Sequence, residues 1–128
     1  MKRRIETDGA PRPVGPYSQA IEVDGWVWCA GQLGTDPSAG ELVPGGAAAE
    51  AERALRNLEA VLDAGGATLA DVVKTTVLLA DMADFAAVNE VYAGFFPDPP
   101  PARSTFAVVA LPRGAQVEIE AVARTRSA

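Results

Sequence analysis

The chain has 128 residues, 48% hydrophobic and 22% charged, the balance of a single globular domain and not of a disordered or two-domain chain. Seventeen acidic residues against 11 basic give a net charge of −6, which on average repels a phosphate backbone and makes nucleic acid a poor partner. There is no histidine and Cys29 is the sole cysteine, which excludes Ser-His-Asp and Cys-His catalysis, His-ligated metal, a thiolate zinc site and an intramolecular disulfide.

The N-terminal Met1-Lys2-Arg3-Arg4-Ile5-Glu6 is basic but lacks the apolar stretch of a signal peptide. No apolar run reaches the roughly 18 residues of a membrane span, so a cytoplasmic protein is expected. Asp24-Gly25, between Gln19–Val23 and Trp26–Cys29, predicts a β-hairpin with a two-residue turn. Leu33 to Gly46 is broken by Asp36-Pro37, Gly40 and Pro44 and reads as a loop. From Ala47 to Ala64 the pattern turns helical, with Ala51, Leu55, Leu58 and Leu62 on one stripe and Gly65-Gly66 at the C-terminal end.

Val72 to Leu79 is rich in β-branched residues and predicts a strand. Asp84 opens a second amphipathic helix, with Phe85, Val88, Tyr92 and Phe95 on one stripe, which Pro97 ends. Two strands follow, near Ser104–Ala110 and Gln116–Arg124. In the second, Val117, Ile119 and Ala121 alternate with Glu118, Glu120 and Val122. The order predicts an α+β sandwich, a mixed sheet with two helices on one face, in one domain over 1–128. Two helices cover one side only, so the other face and the bare edges point to oligomerisation.

Chemistry must then come from Arg, Glu, Asp, Tyr, Ser, Thr and backbone groups. Cys29, inside the apolar run Trp26–Ala30, reads as a packed core thiol. No glycine-rich phosphate loop is present; Gly45-Gly46 and Gly65-Gly66 are isolated pairs. Arg103 stands between Asp98-Pro99-Pro100-Pro101, which holds the backbone extended, and the strand-like Thr105–Val109. A guanidinium so placed matches a carboxylate with two parallel hydrogen bonds. An arbitrary arginine would more often pair with a surface acid.

Ala10-Pro11-Arg12-Pro13-Val14-Gly15-Pro16-Tyr17-Ser18-Gln19-Ala20 resembles the GPYSQA opening of the RidA/YjgF reactive-intermediate deaminase family. Ala30-Gly31-Gln32 resembles its S-G-Q turn. Val73–Val77 with Asp84-Phe85 and Val88–Tyr92 resembles its central strand and second helix. Pro101-Ala102-Arg103-Ser104, followed by Val117–Ala121, resembles its C-terminal signature. The resemblance is colinear from about Ala10 to Ala123.

The resemblance implies a chorismate-mutase-like fold and a homotrimer with clefts between subunits. It also implies hydrolysis of enamines and imines, such as 2-aminoacrylate and 2-iminopropionate, to a 2-keto acid and ammonia without metal or organic cofactor. Arg103 would grip the substrate carboxylate and Glu118 would handle the water, as the catalytic pair. Tyr17, Ala30, Gly31, Asn89 and Thr105 would line the substrate site, Gly31 and Thr105 through their backbone groups. Each also has an ordinary reading: Glu118 an interface acid, Tyr17 a packed turn aromatic, Asn89 a surface amide. Ala30 stands where many relatives carry serine, and Thr105 where cysteine is often found. Two other functions remain open. A non-catalytic, trimeric carboxylate-binding regulator would use the same arginine, and only turnover separates it from an enzyme. RNA cleavage, proposed for some members, fits poorly with a histidine-free chain of net charge −6.

Overall fold

The computed structural model describes residues 1–126. Strands β1 (Arg3–Ile5), β2 (Ala20–Val23), β3 (Trp26–Leu33), β6 (Val72–Leu79), β7 (Ala102–Ala107) and β8 (Val117–Arg124) form one sheet in the order β1-β2-β3-β8-β6-β7. All pairings are antiparallel except β6 with β7, so the sheet is mixed. Helices α1 (Gly46–Ala64) and α2 (Phe85–Ala93) pack together on one face. The α+β sandwich expected from the sequence is therefore present.

The hairpin between β2 and β3 turns on Asp24 and Gly25, both with positive φ (52° and 83°), the conformation a tight two-residue turn demands. Along α1, Ala51, Leu55, Leu58 and Leu62 are fully buried, as their spacing requires. Each buried leucine contributes about 1.5–3 kcal/mol relative to exposure. The sheet answers with Val27, Val77, Leu79, Val117, Ile119 and Ala123, also buried. A buried carboxylate, Glu50 of α1, accepts a 2.8 Å hydrogen bond from the Gln116 N–H and so ties the helix to the start of β8.

Four details differ from the sequence reading. The basic N-terminus supplies β1, held by Ile5, whose side chain is buried in the core; one apolar residue in three gives no alternation to detect. The loop after β3 contains a small hairpin of β4 (Thr35–Asp36) and β5 (Glu41–Leu42). Helix α2 ends at Ala93, before Pro97, where Gly94 and Phe95 close the last turn on Val91 and Tyr92. Glycine is a weak helix former, and the residue before a proline avoids the helical region. Finally, β7 begins at Ala102, so Arg103 lies inside the edge strand and not ahead of it.

The face away from the helices carries Trp28, Leu78, Phe106, Glu118, Glu120 and Val122, by alternation with the buried positions. Trp28 is 54% and Phe106 50% exposed. Large apolar side chains thus stand on the open face of the sheet.

Candidate active site

Arg103 is paired with Thr75 in the parallel β6–β7 ladder, and its side chain lies on the helix face. Its guanidinium carbon is 4.8 Å from the centre of the Tyr92 ring and 5.6 Å from that of Phe85. Both rings come from α2. Among the described residues no carboxylate forms a salt bridge with Arg103 and no acceptor takes a hydrogen bond from it. The cation is thus held by aromatic faces while its five N–H donors stay free, the condition for receiving an anionic ligand.

A cavity of about 500 Å³ opens beside it, lined by Asn89, Tyr92, Phe96, Asp98, Pro101 and Arg103. Asn89 is half-buried and faces this cavity, one turn before Tyr92 on the same side of α2. The Tyr92 hydroxyl hydrogen-bonds the Thr75 hydroxyl at 2.6 Å, both groups buried. Burial pushes the Tyr92 phenol above its ordinary pKa of 10.0, against smaller opposing contributions from Thr75 and the Arg103 charge, so it stays neutral.

A second group of residues surrounds the bulge in β3, where the register with β8 shifts between Cys29 and Gln32. A side chain at Gly31 would overlap the Glu118 carboxylate, so glycine there lets the backbone close over Glu118. Burial, and secondarily the Glu120 charge, raise the Glu118 carboxyl above its ordinary 4.5. Gly31 also helps line a cavity of about 440 Å³ with Tyr17, Arg12, Gln32 and Arg113. Ala30 sits within the bulge, its N–H donating to the Gln19 carbonyl at 2.9 Å.

Tyr17 is held out on a proline-rich loop that the Gln19 side chain fastens down. Gln19 is buried; its Oε1 accepts from the Thr7 N–H at 2.8 Å, and its Nε2 donates to the carbonyls of Thr7 (3.0 Å) and Pro11 (2.9 Å). The candidate residues therefore fall into two groups: Arg103 with Asn89, and Gly31 with Glu118 and Tyr17. Thr105, paired with Val77 on β7, lines neither cavity, and its hydroxyl is buried without a hydrogen-bond partner. Cys29 is a core thiol, pushed to a pKa of about 12 by burial, and is no nucleophile.

Sequence reasoning missed four contributors. Tyr92 and Phe85 read as ordinary members of an apolar stripe; only the fold sets both rings under Arg103. Thr75 reads as one of several β-branched strand residues. The clamp made by Gln19 gave no signal beyond its place in the N-terminal motif.

The profile of a family described as Endoribonuclease L-PSP matches residues 7–125. A mouse protein named 2-iminobutanoate/2-iminopropanoate deaminase is 54% identical over 123 residues, covering 96% of this chain and 91% of its own. The crystal structure of RidA from the Antarctic bacterium Psychrobacter sp. PAMC 21119 superposes with a TM-score of 0.92 at 46% identity, over 95% of this chain and 98% of that one. Escherichia coli TdcF with bound serine does so at 0.92 and 38% identity, over 98% and 99% of the two chains.

Proposed function

The chain belongs to the family described as Endoribonuclease L-PSP, the RidA/YjgF family, and from that premise we propose that it is an enzyme hydrolysing 2-imino acids and their enamine tautomers to 2-keto acids and ammonia. The observation that carries the reading is the unneutralised Arg103 guanidinium beside a cavity, ready for a carboxylate. The name of the mouse relative supplies the substrate class, four- and three-carbon imino acids.

In this mechanism Arg103 binds the substrate carboxylate through two parallel hydrogen bonds and fixes the adjacent C=N carbon. Glu118, as carboxylate, takes a proton from the water that adds to that carbon. The resulting carbinolamine receives a proton on nitrogen, expels ammonia and leaves the keto acid. One water is consumed and no electrons change hands. A carboxyl raised above its ordinary pKa is suited to both proton steps near neutrality. Backbone groups at Gly31 and Thr105 orient the substrate, with Tyr17, Ala30 and Asn89 lining the site. No cofactor takes part.

The working form is a homotrimer of single-domain subunits with each site between two of them. The open sheet face, with Trp28 and Phe106, supplies the contact surface. A cytoplasmic setting puts the protein where imino acids released by amine-handling enzymes would accumulate.

Two alternatives have a basis. The family description favours RNA cleavage, against which stand the net charge of −6 and the lack of any histidine. Serine bound to TdcF favours a carboxylate-binding regulator. The deciding experiment measures keto-acid formation from 2-aminoacrylate generated in situ, with native protein and Arg103→Ala. Acceleration that disappears in the variant supports the deaminase. No acceleration with this or a four-carbon imino acid rejects it and leaves a binding protein; ribonuclease activity retained through repurification favours the RNA reading.

A further inference from the structure

Arg103 is held in an unusual way for an arginine on an edge strand: by rings and not by an acid. A carboxylate partner would orient the guanidinium but would occupy the same N–H donors that a ligand carboxylate needs. Aromatic faces attract the cation through their quadrupole and leave its N–H edge open. The Tyr92 ring is itself fixed, at its hydroxyl by Thr75 (2.6 Å) and at its side by Phe96, whose ring centre is 4.6 Å away at a 38° tilt. Thr75 is the register partner of Arg103 on β6. The neighbour that anchors the arginine's backbone thus also anchors the ring beneath its side chain.

We infer that Tyr92 is a positioning residue for ligand binding: tethered to Thr75, it holds the Arg103 guanidinium in the orientation that receives a carboxylate. This deepens the deaminase reading and rests on it only for the identity of the substrate, since any carboxylate ligand of Arg103 would depend on the same arrangement. Phe85, at 5.6 Å, makes the smaller contribution of the two rings. The energy of a partly desolvated cation–π pair corresponds to about tenfold in affinity.

The test uses Tyr92→Leu, Tyr92→Phe and Thr75→Val, each with native Arg103 and with Arg103→Ala. Pyruvate binding is followed by calorimetry and turnover by KM and kcat, with melting temperature recorded separately. Tyr92→Leu is expected to raise the pyruvate Kd and the KM about tenfold while changing kcat far less. Tyr92→Phe and Thr75→Val both keep the ring and remove its hydrogen bond to the strand, so each gives a partial loss, smaller than that of Tyr92→Leu. In the Arg103→Ala background none of the three changes binding further, because the group they act through is gone. Unchanged pyruvate affinity in folded Tyr92→Leu overturns the inference, as does the same loss with and without Arg103. Should Tyr92→Leu fail to fold, Tyr92→Phe and Thr75→Val, which both release the tether of the ring, carry the same comparison. A native protein that binds pyruvate through Arg103 but turns over no imine defeats the deaminase reading alone; the pyruvate series still decides the role of Tyr92.

Discussion

Arg103 and Glu118 project from opposite faces of the same sheet. Their partners on β6 are Thr75 and Leu78, an odd number of residues apart on a strand whose side chains alternate. Thr75 is buried against α2, whereas Glu118 lies between Val117 and Ile119, both buried on the helix side. A small imino acid bound to Arg103 of one protomer therefore does not reach that protomer's own Glu118. If both residues act on one substrate, the acid belongs to another copy, and the exposed Trp28 and Phe106 on the acid's face provide the means of bringing it there.

Gly31→Ala tests whether the Glu118 carboxylate must stay where it is. The added methyl overlaps the Glu118 side chain from its carboxylate back to Cγ, so the whole side chain must swing aside and take the carboxylate with it. We expect kcat/KM to fall by about ten- to a hundredfold, since misplacing a reacting group by an ångström has that order of effect. The melting temperature should move little. Steady-state kinetics beside a thermal melt check this; unimpaired turnover would show that Glu118 is not needed at that position.

The raised pKa of Glu118 predicts two opposite pH dependences. In the proposed mechanism the carboxylate takes the proton of the attacking water, so kcat/KM should decline on acidification with a midpoint above the ordinary 4.5. Stability runs the other way. Folding favours the protonated form, so this residue's contribution is full below the ordinary value and is lost as pH rises through the raised one. Glu118→Gln should therefore be at least as stable as the native protein at neutral pH, by less than about 1 kcal/mol because the group is partly exposed to solvent. It should also be nearly inactive. Denaturant titrations of both proteins from acidic to neutral pH give the difference directly.

Gln19→Leu should loosen the loop that bears Tyr17. The substitution leaves the Thr7 N–H and the carbonyls of Thr7, Ala10 and Pro11 without their partner; water can replace it at the half-buried Thr7 and Pro11 groups, so the cost is about 1–3 kcal/mol in all. Limited proteolysis should then cut between Thr7 and Gln19 in the variant before it cuts the native protein. Equal resistance would mean the loop is held by other contacts.

The sequence made the framework legible where one rule governed a whole segment. The α1 stripe Ala51-Leu55-Leu58-Leu62 has one periodicity and one burial pattern, and Asp24-Gly25 has one conformation open to it. The boundaries of β6 and the end of β8 were likewise legible from alternation and β-branching. β1 was not, because Ile5 is a single apolar residue whose place depends on pairing with β2. Within the site, Arg103 was visible through its proline-rich approach and the family resemblance. The rings beneath it were not, since Phe85 and Tyr92 obey helix periodicity whether or not a cation lies above them. The separation of Arg103 from Glu118 was also hidden: strand parity is readable within β8, but relating it to β7 requires the register through β6.

The claim that one site is built from two copies is tested most directly by mixing two inactive variants. Arg103→Ala and Glu118→Gln are co-expressed, mixed assemblies are isolated by tandem tags, and keto-acid formation is measured. If Arg103 of one subunit works with Glu118 of the next, every mixed closed trimer holds one site of its three with both native residues, and about a third of native turnover returns. Mixed assemblies as inactive as either parent would contradict the account and place the acid and the anchor in the same chain, or remove one of them from the chemistry.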